Sequence, residues 1–223
     1  MESMLAMSYH CPHVPQSANK GISPDLDWWP SVLIRPTLSR SIPLPTRPLN
    51  VNTFSDVSSG VRITIIVHGR WRAWRLIPGW KTLWGQRDIG WAKAVGFECL
   101  VHYLCNSHPD GRHFVVHDNN HGVVEGWQNG RSWNSTINTV FRQLHSLFGI
   151  DDPQHSFHPV YIPSGSNPAD SPSRGIYPPV TRLLPAISLP AELDNFLICS
   201  QSPPTPTEWQ LLQEGCCQMH HQY

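Results

Sequence analysis

Charge is scarce in this chain. Only 14% of its 223 residues are Asp, Glu, Lys or Arg, with 16 acids against 16 bases, where about a quarter is usual. Net charge therefore gives no sign of a polyanionic or anionic-membrane partner. No apolar run approaches the roughly 20 residues that span a bilayer, and Met1 to Pro15 lacks the basic start and apolar run of a signal peptide. Six cysteines, at 11, 99, 105, 199, 216 and 217, form no Cys-x-x-Cys pair. A disulfide-dense secreted scaffold is excluded, and a reducing compartment, cytoplasm or nucleus, is expected. Thirteen histidines supply no Cys/His quartet at finger spacing, and Cys216-Cys217 with His220-His221 crowd too closely for a fold-forming zinc finger.

Proline is what the chain has in excess, and it is unevenly spread. Eight prolines fall in residues 1–50, two in 51–150 and twelve in 151–223. Proline breaks helices and central strands, so regular structure is expected in the middle hundred residues. The organisation expected is an irregular arm over 1–50, a core over 51–177, and a Pro-rich, largely disordered tail over 178–223.

Hydrophobic period gives the elements of that core. Val51 to Asp56 reads as a short strand. Val61, Ile63, Ile65 and Val67 alternate with Arg62, Thr64, Ile66 and His68, a half-buried strand. Gly69 turns the chain into a third strand from Trp71 to Leu76, closed by Pro78-Gly79. Asp88 stands as N-cap to a helix over Ile89–Tyr103. His113 to His117 reads as a buried strand ending at Asp118, and Val123–Trp127 as a helical unit. Ser132 is placed to cap a longer helix that repeats Ile137, Val140, Phe141, Leu144, Leu147 and Phe148 on one face. His158 to Pro163 is a last strand, and Ser164 to Arg174 is polar and turn-rich. This order predicts an α/β fold, a mixed sheet with helices packed on it.

From Val57 to Arg87 there are six bases (Arg62, Arg70, Arg72, Arg75, Lys81 and Arg87) and no acid, and five tryptophans lie between Trp71 and Trp91. One reading is a solvated basic strand pair with the tryptophans as core; the other is a phosphate-contacting surface. Asp56 and Asp118 stand at strand ends, and Asp170 follows the last strand. If the first and fourth strands are parallel neighbours, the carboxylates converge. Converging carboxylates repel unless a cation sits among them, and Mg²⁺ or Mn²⁺ takes such oxygen ligands. Taken singly, each aspartate reads as an ordinary turn or cap residue.

Three groups of residues carry a family resemblance: Ser55-Asp56-Val57-Ser58-Ser59-Gly60; His117-Asp118-Asn119 with Gly122-Val123-Val124; and Pro163-Ser164 with Asn167-Pro168-Ala169-Asp170-Ser171-Pro172-Ser173-Arg174. In this order they resemble the ribonuclease H domain of retroelement (retrotransposon) reverse transcriptases. Asp88-Ile89-Gly90-Trp91-Ala92 resembles the start of that family's first helix. The likeness covers about Val51 to Tyr177, and Asp25-Leu26-Asp27-Trp28-Trp29 resembles the connection segment upstream. The resemblance implies a ribonuclease H-like, five-stranded mixed sheet. It implies cleavage of the RNA strand of an RNA–DNA hybrid by two divalent ions, with Asp56, Asp118 and Asp170 as metal ligands and catalytic residues.

The family's glutamate, directly after the Trp-Ala pair, is replaced here by Lys93. An ammonium in place of a carboxylate shifts the local charge by two units. Each unit interaction is worth on the order of 4 kcal/mol at ~4 Å and an effective dielectric near 20. Glu98 is the alternative ligand, but five helical residues place it about 140° round and ~7.5 Å along from Lys93, so the two cannot share one site. His117 and His121 flank Asp118 and can serve in proton transfer or, like His158, as simple hydrogen-bonding groups. No Tyr-x-Asp-Asp polymerase motif, aspartic-protease signature or integrase zinc module occurs, and the chain reads as a captured fragment of a polyprotein. Three readings follow: a metal-dependent hybrid ribonuclease, a catalytically weakened nucleic-acid-binding module, and a remnant that folds poorly.

Overall fold

The computed structural model describes Pro30, Leu33, Ile34 and residues 47–58, 62–77, 80–81, 87–148 and 155–198. The chain divides into two units, Met1–Ile42 and Pro43–Tyr223, and the sheet belongs to the second. Asp25 to Trp29 lies outside the described residues, as do Cys11, Cys199, Cys216 and Cys217.

The second unit is α/β. Its strands are β1 (Leu49–Ser58), β2 (Arg62–Val67), β3 (Arg70–Leu76), β4 (His113–Asp118), β5 (Ser156–Tyr161) and β6 (Leu197–Ile198). Its main helices are α1 (Ile89–Ser107), α2 (His121–Gln128) and α3 (Ser135–Leu147), with single turns α4 (Asp170–Ser173) and α5 (Ala191–Asp194). The strands form one mixed sheet in the order β5-β4-β1-β2-β3-β6. The meander β1-β2-β3 is antiparallel, and β4 adds to β1, and β5 to β4, in parallel. A two-residue turn at His68-Gly69, both at positive φ, joins β2 to β3 with the twist that hairpins favour.

One face of the sheet carries α1, α2 and α3. Asp88 caps α1, its carboxylate accepting from Trp91 N at 2.9 Å, and the helix runs one turn beyond Tyr103. Asn134, not Ser132, caps α3 by accepting from Thr136 N; the Ser132 hydroxyl instead accepts from Asn134 N. The apolar stripe of α3 is buried at Ile137, Val140, Phe141 and Leu144, but Leu147, expected on the same face, is 45% exposed. At Gly96 of α1 a Cβ would stand 3.0 Å from Val57 Cγ2. The missing side chain lets α1 lie close on β1, which brings Lys93 to the end of that strand.

The opposite face is covered over β1–β3 by a second cluster of Ile66, Trp71 and Ala169 with Phe54, Ala73, Tyr177 and Leu183. All six residues of β2 are therefore buried, where alternation had predicted a half-buried strand. Period reports side-chain chemistry and cannot see a later segment folding over the polar face. Trp71, Trp74, Trp80 and Trp91 are buried, as the core reading of that stretch required, and Trp84 lies outside the described residues. Arg62 and Arg72 are buried too, so the basic stretch is not one solvated face.

The expected tail is corrected as far as Ile198. Leu184, Ile187, Leu193 and Leu197 join the main core. Leu184 N donates to Trp71 O at 2.8 Å, Arg72 Nη1 donates to Leu184 O at 2.7 Å, and β6 pairs with β3. The sheet has six strands, not five. The prolines keep this segment out of long elements, but the leucines between them bury apolar surface at roughly 25 cal/mol per Å². At the other edge, Trp127 Nε1 and Gln128 Nε2 of α2 donate to Phe157 O and Pro159 O of β5. Among the described residues, no helix is long and apolar enough to cross a membrane.

Candidate functional site

The parallel pairing of β1 with β4 sets Ser55 beside Asp118, so Asp56 and Asp118 meet at the strand ends. Both are buried, at 4% and 1% exposure. Asp118 is held on both oxygens: Ser55 Oγ donates to Oδ2 at 2.6 Å, and Asn120 N donates to Oδ1 at 2.7 Å. Burial nevertheless pushes its pKa up to about 7; the two hydrogen bonds and Lys93 lower it, and Asp56 raises it further.

Asp56 is engaged from three sides. Lys93 Nζ, 16% exposed, lies 3.0 Å from Oδ1. Asn119 Nδ2 donates to the same oxygen at 3.0 Å, and Ser173 Oγ donates to Oδ2 at 2.9 Å. Lys93 Nζ also donates to Asn119 Oδ1, which closes a ring of Asp56, Lys93 and Asn119. Asn119 reaches on to Ser164 Oγ at 3.0 Å. Asn167 Nδ2 ties the loop back to Ser55 O at 2.8 Å.

Asp170 lies one helical turn from Ser173, but its carboxylate is taken by a two-pronged ion pair. Arg174 Nε and Nη2 each donate to it at 2.9 Å. Glu98 does not reach the centre. It is 1% exposed, and burial, with the charge of Glu192, raises its pKa to about 8. Its neighbour one turn on, His102, is held down to about 4 by burial, against an upward pull from Glu192. Glu98 Oε2 and His102 Nε2 make no hydrogen bond. The helical rotation that set Glu98 apart from Lys93 in the sequence holds in the fold.

The donor set does not fit a pair of divalent ions as it stands. Among the described residues no three His, Cys, Asp or Glu groups are gathered for a common ion. An ammonium already bonds Asp56, and each oxygen of Asp118 and Asp170 already accepts a hydrogen bond. His117 Nδ1 pairs with Thr53 O at 3.0 Å, and its ring stacks on Phe54. His121 stacks on Tyr161 with centroids 3.7 Å apart, beside the strand ends.

Asn119, Ser173 and Arg174 were visible in the motifs but had no role there. The i,i+4 spacing of Asp170 and Arg174 is itself an ion-pair signal. The bond from Ser173 to Asp56 spans 117 positions and has no local signal.

Compared with known proteins, the chain matches no family model, no curated protein and no solved structure.

Proposed function

We propose that this chain is a retroelement-derived, ribonuclease H-like module that binds nucleic acid, RNA–DNA hybrid first among the candidates, with catalysis weakened or lost. The observation that carries this reading is Lys93 seated between Asp56 and Asn119. A hybrid nuclease of the two-metal kind needs unneutralised carboxylates to gather Mg²⁺ or Mn²⁺. Here Lys93 offsets Asp56, Arg174 offsets Asp170, and Asp118 is about half protonated near neutral pH. A centre with so little net negative charge does not repel a phosphodiester, and so does not need a metal to admit one. The sequence motifs around Asp56, Asp118 and Asp170 support the fold family, and the βββαβ order with β4 parallel to β1 is consistent with it. A cytoplasmic or nuclear location belongs to the same reading.

The test is fluorescence anisotropy of a labelled RNA–DNA hybrid in EDTA across a salt series, beside a cleavage assay in Mg²⁺ and Mn²⁺. Salt-sensitive binding without cleavage is the expected result. Metal-dependent cleavage that Asp118→Asn abolishes would restore the ribonuclease reading.

A further inference from the structure

Arg62 opens β2 and is 5% exposed. Among the described residues it has no carboxylate within ion-pair distance and forms no side-chain hydrogen bond. Its guanidinium packs against the turn after α4, where a Cβ on Gly175 would stand 2.6 Å from Nη1. Guanidinium stays charged at any pH a folded protein meets, so burying it unpaired is costly.

The neighbouring strand sharpens the problem. Arg62 pairs in register with Arg75 of β3, and residues directly opposite on paired strands share a face, with Cβ atoms about 5 Å apart. Arg75 is half-buried and likewise has no acid partner among the described residues. Like charges in this relation destabilise a sheet. Local sequence offers no relief, because residues 57–87 contain no acid.

The pair also adjoins the aspartate centre. On β1, Ser58 is the register partner of Arg62. Ser58 Oγ donates to Ser173 O at 2.6 Å, and Ser173 Oγ donates to Asp56. Two planar donors at a strand end, one buried and both lacking an anion, are suited to a tetrahedral oxyanion.

We propose that Arg62 and Arg75 form a phosphate clamp beside the Asp56–Lys93 centre, taking one backbone phosphate of a bound nucleic acid. The source of the phosphate rests on the nucleic-acid reading above; the oxyanion chemistry does not. The clamp is a binding site and carries no reaction step.

The test uses the full chain, with inorganic pyrophosphate by calorimetry and labelled RNA–DNA hybrid by anisotropy. Arg75→Gln and Arg62→Met are the variants, and Arg142→Gln on α3 is the charge-matched control. Each clamp variant is expected to weaken hybrid binding about tenfold and to lower the salt slope by about 1. Each is also expected to remove pyrophosphate binding, while the control changes neither. Should Arg62→Met fail to fold, Arg75→Gln decides alone. Hybrid binding untouched by both variants, or weakened equally by Arg142→Gln, overturns the clamp and leaves the nucleic-acid reading standing. Arginine-dependent pyrophosphate binding without hybrid binding keeps the oxyanion site and removes the nucleic-acid reading. Binding of neither probe ends both.

Discussion

Lys93 Nζ and Asp56 Oδ1 are 3.0 Å apart at the end of β1, and the relationship is one-sided. Asp56 is the more deeply buried partner, so it depends on the lysine more than the lysine depends on it. Lys93→Met is expected to lower stability by about 3 kcal/mol, the usual result of stranding a buried charge. Lys93→Glu is expected to lose at least as much in EDTA and to recover part of it in millimolar Mn²⁺, with no such response in the natural chain. Thermal melts with and without the ion check both. A Lys93→Glu protein indifferent to Mn²⁺ would show that the remaining oxygens do not make an ion site.

Stability is expected to fall as pH rises from about 6 to about 8. Folding holds Asp118 at about 7 against an ordinary 3.8, and Glu98 at about 8 against 4.5. The folded chain therefore keeps protons that the unfolded chain releases, and stability drops through the interval between each pair of values. His102, at about 4 against 6.5, works in the opposite sense, adding stability as pH rises through its own interval. Above 6.5 that compensation is spent. Between pH 6 and pH 8 the unfolding free energy is expected to fall by about 3 kcal/mol, measured by urea denaturation. Glu98→Gln should flatten much of this slope; an unchanged slope in that variant would remove Glu98 from the account.

Two contacts of α4 should differ in weight. Ser173→Ala removes a buried hydroxyl that donates to Asp56, and a loss of about 2 kcal/mol is expected, as for hydrogen bonds to charged groups. Arg174→Gln breaks an ion pair whose arginine is 62% exposed; about 0.5 kcal/mol or less is expected. Denaturation midpoints of the two variants rank them, and the reverse order would contradict the seating of Asp56 described above.

Gly96→Ala sets two effects against each other. Alanine gains about 1 kcal/mol of helix propensity over glycine. The added Cβ, however, would press on Val57 Cγ2 at 3.0 Å, and overpacking of this kind costs about 1–3 kcal/mol. Net destabilisation is the expected outcome, and a more stable variant would mean that α1 can lift from β1 freely.

The elements with a strong local signal were legible in the sequence. Asp88 caps α1 as its position implied, the stripe from Ile137 to Leu144 is the buried face of α3, and the His68-Gly69 turn falls where glycine placed it. The meeting of Asp56 with Asp118 followed from a parallel β1–β4 pair, an assumption about topology that period alone does not supply. What was illegible is non-local. Ser132 and Asn134 both suit a cap, and only the backbone geometry selects Asn134. Lys93 was visible as a misfit, but its bond to Asn119 requires α1 and the turn after β4 to be placed together. The role of residues 178–198 was hidden by proline, which signals irregular backbone and says nothing of whether the leucines between are buried.

That segment has a practical corollary. The residues that carry the resemblance stop near Tyr177, yet the outer rim of β3 is sealed by Leu183, Leu184 and β6. A protein trimmed at the last motif would leave β3 as a bare template for another chain to join. Loss of this rim favours self-association into larger species, so the smallest well-behaved piece must be cut beyond Ile198.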